Sequence, residues 1–404
     1  MNRLLIALAA TAALLSHPTR SLADGADSLS RKPTHYIGVG VTPSYVFPTN
    51  SFLKGTNAKG KAISTAFSAN ARYGFRFGRG TRLGRLYPNA VQGIGISYNT
   101  FFNNGELGSP VAVYIYQTSR IARLSGRLSL DYEWNFGAAF GWKKYDEDTN
   151  HYNTAIGSTV NAYMGVGLLL DWRIAPGTSL TAGVTAAHYS NGNTAYPNAG
   201  VNTVGASVGI TRTIGGDKDG GRWDDTPPTA GQEPFKRHVS YDITAYWAMR
   251  KRAVYPADGT PGMAPGSFAV AGLNFTPLYN FNKYLRAGLS LDMQYDESAN
   301  LADYVAGDGT VDDDVKFYRQ PFIERISVGL SARVELVMPI FSIDVGVGRN
   351  IIYKGNDTDS FYQILALKAD LTRNLFLHVG YELNKFKDPN NLMFGVGVRL
   401  NNRR

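Results

Sequence analysis

The chain has 404 residues, a net charge of +9, 18% charged residues, 44 Gly, 24 Tyr, 20 Phe and no Cys. The missing Cys excludes disulfides and thiolate chemistry, and no apolar stretch reaches the ~20 residues that a bilayer-spanning helix needs. A basic chain rich in aromatic and small residues suits anionic lipid headgroups, and nucleic acid is set aside as a partner.

Met1 to Ala23 reads as an export signal. Arg3 is the charged start, Leu4 to Leu15 the apolar stretch, and Ser21-Leu22-Ala23 a small-x-small cleavage site. An exported chain with no spanning helix enters a membrane only by strands.

After a polar leader the sequence alternates with period two, the mark of strands that separate two environments. Leu128, Leu130, Tyr132, Trp134, Phe136, Ala138, Phe140 and Trp142 oppose Ser129, Asp131, Glu133, Asn135, Gly137, Ala139 and Gly141. Val160, Ala162, Met164, Val166, Leu168, Leu170 and Trp172 oppose Asn161, Tyr163, Gly165, Gly167 and Asp171. Such segments fall near 35–46, 65–78, 90–101, 111–118, 128–142, 160–172, 178–190 and 201–214. A second set falls near 238–250, 266–279, 284–296, 322–336, 339–352, 359–371, 373–383 and 391–400. The reading is therefore all-β: an antiparallel outer-membrane β-barrel of about 16 strands.

Link lengths nearly alternate. Ile174 to Gly177, Tyr279 to Asn282 and Thr372-Arg373 are tight, whereas 47–64, 143–158, 251–265 and 298–321 are long. Outer-membrane barrels keep short turns inside and long loops outside, which places the end of strand seven at the outer surface. The link 215–237 breaks the alternation and divides the chain. The alternatives are one larger barrel or two consecutive eight-stranded barrels over residues 30–215 and 238–404 joined by a linker, 216–237; eight strands suffice for a closed barrel filled by its own side chains, and the break favours two. Inward Arg72, Arg76, Asp131 and Glu133 are expected to form a charge network inside the first.

Strand seven carries the chemistry. Leu180, Ala182, Val184 and Ala186 share one face, and His188 and Ser190 extend it. On strand eight Val204, Ala206, Val208 and Ile210 form the matching face, and Asn202 precedes them in register. A base, a hydroxyl and an orienting amide on one face are the residue types of a hydrolase triad, here aimed at lipid. Tyr189, on the other face, is expected to pack. Alone, a polar tip with Ser, Asn and Gly is ordinary turn chemistry.

His188-Tyr189-Ser190-Asn191 resembles the His-x-Ser-Asn motif of the outer-membrane lipid A 3-O-deacylase (PagL) family, an acyloxyacyl hydrolase-like group. Pro197-Asn198 and Gly200 are similar too. The resemblance covers residues of about 30–215 and implies an eight-stranded barrel that hydrolyses an ester at the 3-position of lipid A without metal or cofactor. Ser190 is then the nucleophile, His188 the general base, and Asn191 with Gly192 the oxyanion hole. Two positions depart from the pattern. Asn193 stands where a Gly is expected, which a backbone N–H donor would make unimportant, and Asn202 stands where the family has Glu.

The partner so implied is lipid A, or lipopolysaccharide, of the outer leaflet; a homodimer and the role of 238–404 stay open. The alternatives are a non-enzymatic porin or anchor with a degenerate site, and an outer-membrane phospholipase. Asp308, Asp312, Asp313 and Asp314 are read as an exposed acidic loop, and Tyr295-Asp296-Glu297-Ser298 as a solvated one whose carboxylates are a reserve acid.

Overall fold

A computed structural model describes residues 31–214, 235–254, 262–264, 266–306, 316–359, 361–385 and 388–403. The stretch 1–23 read as an export signal, the acidic residues Asp308 to Asp314 and most of the inter-barrel linker lie outside the described residues.

The strands close into two separate eight-stranded antiparallel barrels. The first contains β1 (Thr34–Val46), β2 (Thr65–Arg76), β3 (Val91–Thr100), β4 (Gly108–Arg123), β5 (Leu128–Trp142), β6 (Val160–Ala175), β7 (Thr178–Ser190) and β8 (Val201–Ile214). It closes where β8 pairs β1, His35 opposite Ile214. The second contains β9 (His238–Arg250), β10 (Phe268–Asn280), β11 (Leu285–Asp296), β12 (Ile326–Val337), β13 (Phe341–Ile352), β14 (Phe361–Asp370), β15 (Leu375–Asn384) and β16 (Asp388–Leu400), and closes where β16 pairs β9. Closure leaves neither barrel with an unpaired edge, which a strand protein in lipid requires.

Both barrels are inside out relative to a water-soluble protein. Val166 and Val184 are 61% and 60% exposed, while Ser129, Asp131 and Asp171 on the opposite faces are buried. Arg72 pairs with Glu133 at 2.6 Å in the first lumen. The second lumen is filled by a lattice of charges: Lys368 lies 3.1 Å from each of Asp242, Glu335 and Asp344, and Arg399 lies 2.7 Å from Asp242.

Three local expectations are corrected. Trp142 does not face outward with Phe140, because Gly141 has φ +89 and turns the chain over. Its ring packs inward, 5.2 Å from both Phe101 and Tyr189. The link 77–90 is long although it joins two strands at the short-turn end, since it holds the helix α1 (Arg82–Leu86). Asp296 is no solvated reserve acid: it is buried against Arg250 at the long-link end of the second barrel, and its neighbour Glu297 accepts from the Ala269 N–H at 2.9 Å.

The two barrels touch through their outward faces. Trp134 of β5 packs edge-on to Phe341, ring centroids 5.2 Å apart, and donates Nε1–H to Met338 Sδ at 2.9 Å. Ile115, Tyr132, Phe136, Ile343 and Leu367 surround this contact. Tyr87 adds a hydrogen bond from its hydroxyl to Lys283 O at 2.6 Å.

Candidate functional site

β7 and β8 are paired along their length, and the pairing sets His188 opposite Asn202. Side chains directly opposite on one face of an antiparallel pair lie close enough to interact. Here His188 Nδ1 and Asn202 Oδ1 are 2.7 Å apart. An amide oxygen only accepts, so with this orientation Nδ1 carries the proton and Nε2 presents a lone pair. The ring is thereby held in the tautomer that a general base needs.

Ser190, two residues beyond His188, is buried at 6% exposure. Among the described residues its hydroxyl makes no hydrogen bond to the ring; bonds of this kind often tighten only when substrate is in place. Gly200 shows how closely the three groups sit. A Cβ there would lie 2.8 Å from Tyr189 O, 3.1 Å from His188 Cε1 and 3.6 Å from Ser190 Cβ, and its φ is +69. A side chain at 200 would therefore push on His188 and Ser190 together.

The strand ends at Ser190 because two successive residues, Gly192 at φ +62 and Asn193 at φ +63, take the left-handed conformation. Asn tolerates that region better than other residues with a Cβ, so Asn193 supports the backbone conformation for which Gly is the usual residue. Asn191 organises the turn. Its N–H donates to Asn198 Oδ1 at 2.9 Å, its O accepts from Thr194 Oγ1 at 2.8 Å, and its Oδ1 accepts from Ala195 N–H at 3.4 Å.

The Asn191 backbone N–H is already engaged, whereas the Asn191 side-chain Nδ2 is buried with no hydrogen-bond partner. A buried donor left unpaired costs about 1–3 kcal/mol, and such a cost is commonly retained where a ligand oxygen is to be met. The Gly192 N–H also takes no partner among the described residues. Asn198, which accepts from the Asn191 N–H, and Gly200, which lies against His188 and Ser190, were visible in the sequence only as part of the loop's likeness.

Tyr189 points inward and packs with Tyr163 at 5.2 Å, while its hydroxyl donates to Asn99 Oδ1 at 3.1 Å. The layer of Phe101, Trp142, Tyr163 and Tyr189 is a solid floor behind the site.

Comparison with known proteins places the chain. Residues 94–211 match the family model described as lipid A 3-O-deacylase (PagL), and residues 239–402 match that described as acyloxyacyl hydrolase, C-terminal domain. Neisserial surface protein A is 11% identical over 45% of this chain and 97% of its own, with a TM-score of 0.31. The Acinetobacter baumannii outer membrane protein Omp33 is 7% identical over 91% of this chain and 98% of its own, with a TM-score of 0.16. No curated protein matches the chain. The deacylase match contains β7, β8 and the turn between them, the second match spans the second barrel, and the chain belongs to the lipid A 3-O-deacylase family of outer-membrane β-barrel hydrolases.

Proposed function

We propose that the first barrel is an esterase that removes the ester-linked 3-O-hydroxyacyl chain of lipid A by a Ser-His mechanism. The observation that carries this is the 2.7 Å contact between His188 Nδ1 and Asn202 Oδ1, on the apolar outward face and beside Ser190. Long links mark this end of the barrel as the outer one, so the site opens toward the leaflet that holds lipopolysaccharide.

Ser190 Oγ attacks the acyl carbonyl carbon as His188 Nε2 takes its proton. The carbonyl oxygen becomes an oxyanion, met by Asn191 Nδ2 and the Gly192 N–H, groups already fixed before charge develops. Collapse breaks the bond to the sugar oxygen, which receives the proton from Nε2. Water, deprotonated by the same ring, then attacks the acyl-Ser190 ester and releases the hydroxy fatty acid. Asn202 holds the ring throughout but supplies no charge.

The ion-paired lumens weigh against a porin, since interior charges that satisfy one another fill the space a channel needs. A fluorophosphonate probe tests the nucleophile directly. The wild-type protein is expected to be labelled at Ser190 and Ser190→Ala to escape labelling; equal labelling of both would refute the assignment. Hydrolysis of phospholipid in preference to lipid A would reassign the substrate while leaving the nucleophile in place.

A further inference from the structure

The second barrel reaches the proposed oxyanion turn at two points. A Cβ on Gly192 would lie 2.6 Å from Leu392 Cγ and 2.7 Å from Leu392 Cδ2, so the Leu392 side chain already rests on the Gly192 backbone. Beside it the Lys251 N–H donates to Asn193 O at 3.0 Å. Both contacts fall on the two left-handed residues that shape the turn.

Leu392 and Lys251 belong to neighbouring strands at the long-link end, β16 and the residue just past β9. One buried side chain ties these ends together. Arg250 donates to Asn390 O at 3.3 Å and to Ser298 Oγ at 2.9 Å, and pairs with Asp296 at the end of β11. The guanidinium thus joins β9, β11 and β16 where the barrel meets its neighbour. A planar fork with several donors suits such a junction better than a single ammonium would.

We propose that the second barrel is a rigid platform for the esterase of the first, with Leu392 a positioning residue that holds Gly192 and Asn191 Nδ2 where the oxyanion forms. The inference rests on the esterase reading for its consequence, though not for its contact. Loops bounded by left-handed residues have few apolar contacts of their own, and a turn that supplies oxyanion donors has to be held still. Geometric misplacement of about 1 Å costs on the order of 10²-fold in rate. A covering side chain from a second folded body is one way to prevent it. The second barrel then needs no active site of its own.

The test uses the full-length protein in detergent micelles with lipid A. A nitroxide attached at Ala195→Cys is a unique label, since the chain has no other Cys, and it keeps the backbone N–H that donates to Asn191 Oδ1. Leu392→Ala is expected to sharpen the spectrum of that label, to lower kcat roughly ten- to a hundredfold, and to leave KM little changed. Leu392→Met, which refills the volume, is expected to restore both. An unchanged spectrum with Leu392→Ala overturns the docking, and a sharpened spectrum with unchanged kcat overturns the positioning role. If the parent protein does not hydrolyse lipid A, the esterase reading fails by itself, and the spectrum still decides whether Leu392 holds the turn.

Discussion

Asn202 has the geometry to orient His188 but not the charge to stabilise it. In the proposed reaction the ring takes the Ser190 proton and an imidazolium forms against a neutral oxygen, and a charge-assisted hydrogen bond is roughly twice as strong as a neutral one. Asn202→Glu is therefore expected to raise kcat, and Asn202→Ala, which frees the ring to rotate and change tautomer, to lower it by about 10²-fold or more. Steady-state rates on lipid A check both, and an unchanged rate in Asn202→Ala would assign Asn202 to the turn alone. Gly200 supplies a second test at this scale. Gly200→Ala forces a methyl to within 2.8 Å of Tyr189 O and 3.1 Å of His188 Cε1, at a φ that disfavours any side chain. We expect it to lose activity about as fully as His188→Ala while the barrel keeps its heat-modifiable mobility on gels. A wild-type rate would mean that Gly200 does not set the spacing of the pair.

Strand by strand, the alternation of side chains was the legible part. A membrane barrel sorts every second residue into lipid or lumen, so segments such as 128–142 and 160–172 declared themselves, and with them the facing of His188, Ser190 and Asn202. What escaped the sequence has specific causes. Trp142 continues the outward pattern on paper, but a single left-handed glycine at 141 reverses it. The bond from the Asn191 N–H to Asn198 was not legible because its acceptor lies seven residues further on in an irregular loop. The contact between barrels was invisible, since a face of Trp, Phe and Ile reads the same whether it meets lipid or another barrel. In lipid such a contact gains packing and hydrogen bonds but little hydrophobic driving force. Trp134→Ala is accordingly expected to leave each barrel closed and to uncouple them, turning a shared thermal transition into two. Calorimetry in detergent measures this, and one unchanged transition would show that the barrels do not lean on Trp134.

For the whole molecule, two closed barrels divide the labour. The first places a His, a Ser and an amide on its outer lipid-facing rim, and the second packs its lumen with ion pairs such as Arg286 to Glu335 at 2.5 Å and Arg333 to Asp292 at 2.9 Å. Removing one partner of such a buried pair leaves an uncompensated charge costing about 3–5 kcal/mol, which suits a body whose value lies in not moving. The proposed reaction is deacylation of lipid A through Ser190. The measurement closest to it is mass spectrometry of lipid A from cells expressing the wild-type protein, Ser190→Ala, or neither. Loss of one hydroxyacyl chain from the 3-position is expected with the wild type alone. Lipid A of identical mass in all three, with all proteins folded in the outer membrane, would contradict it.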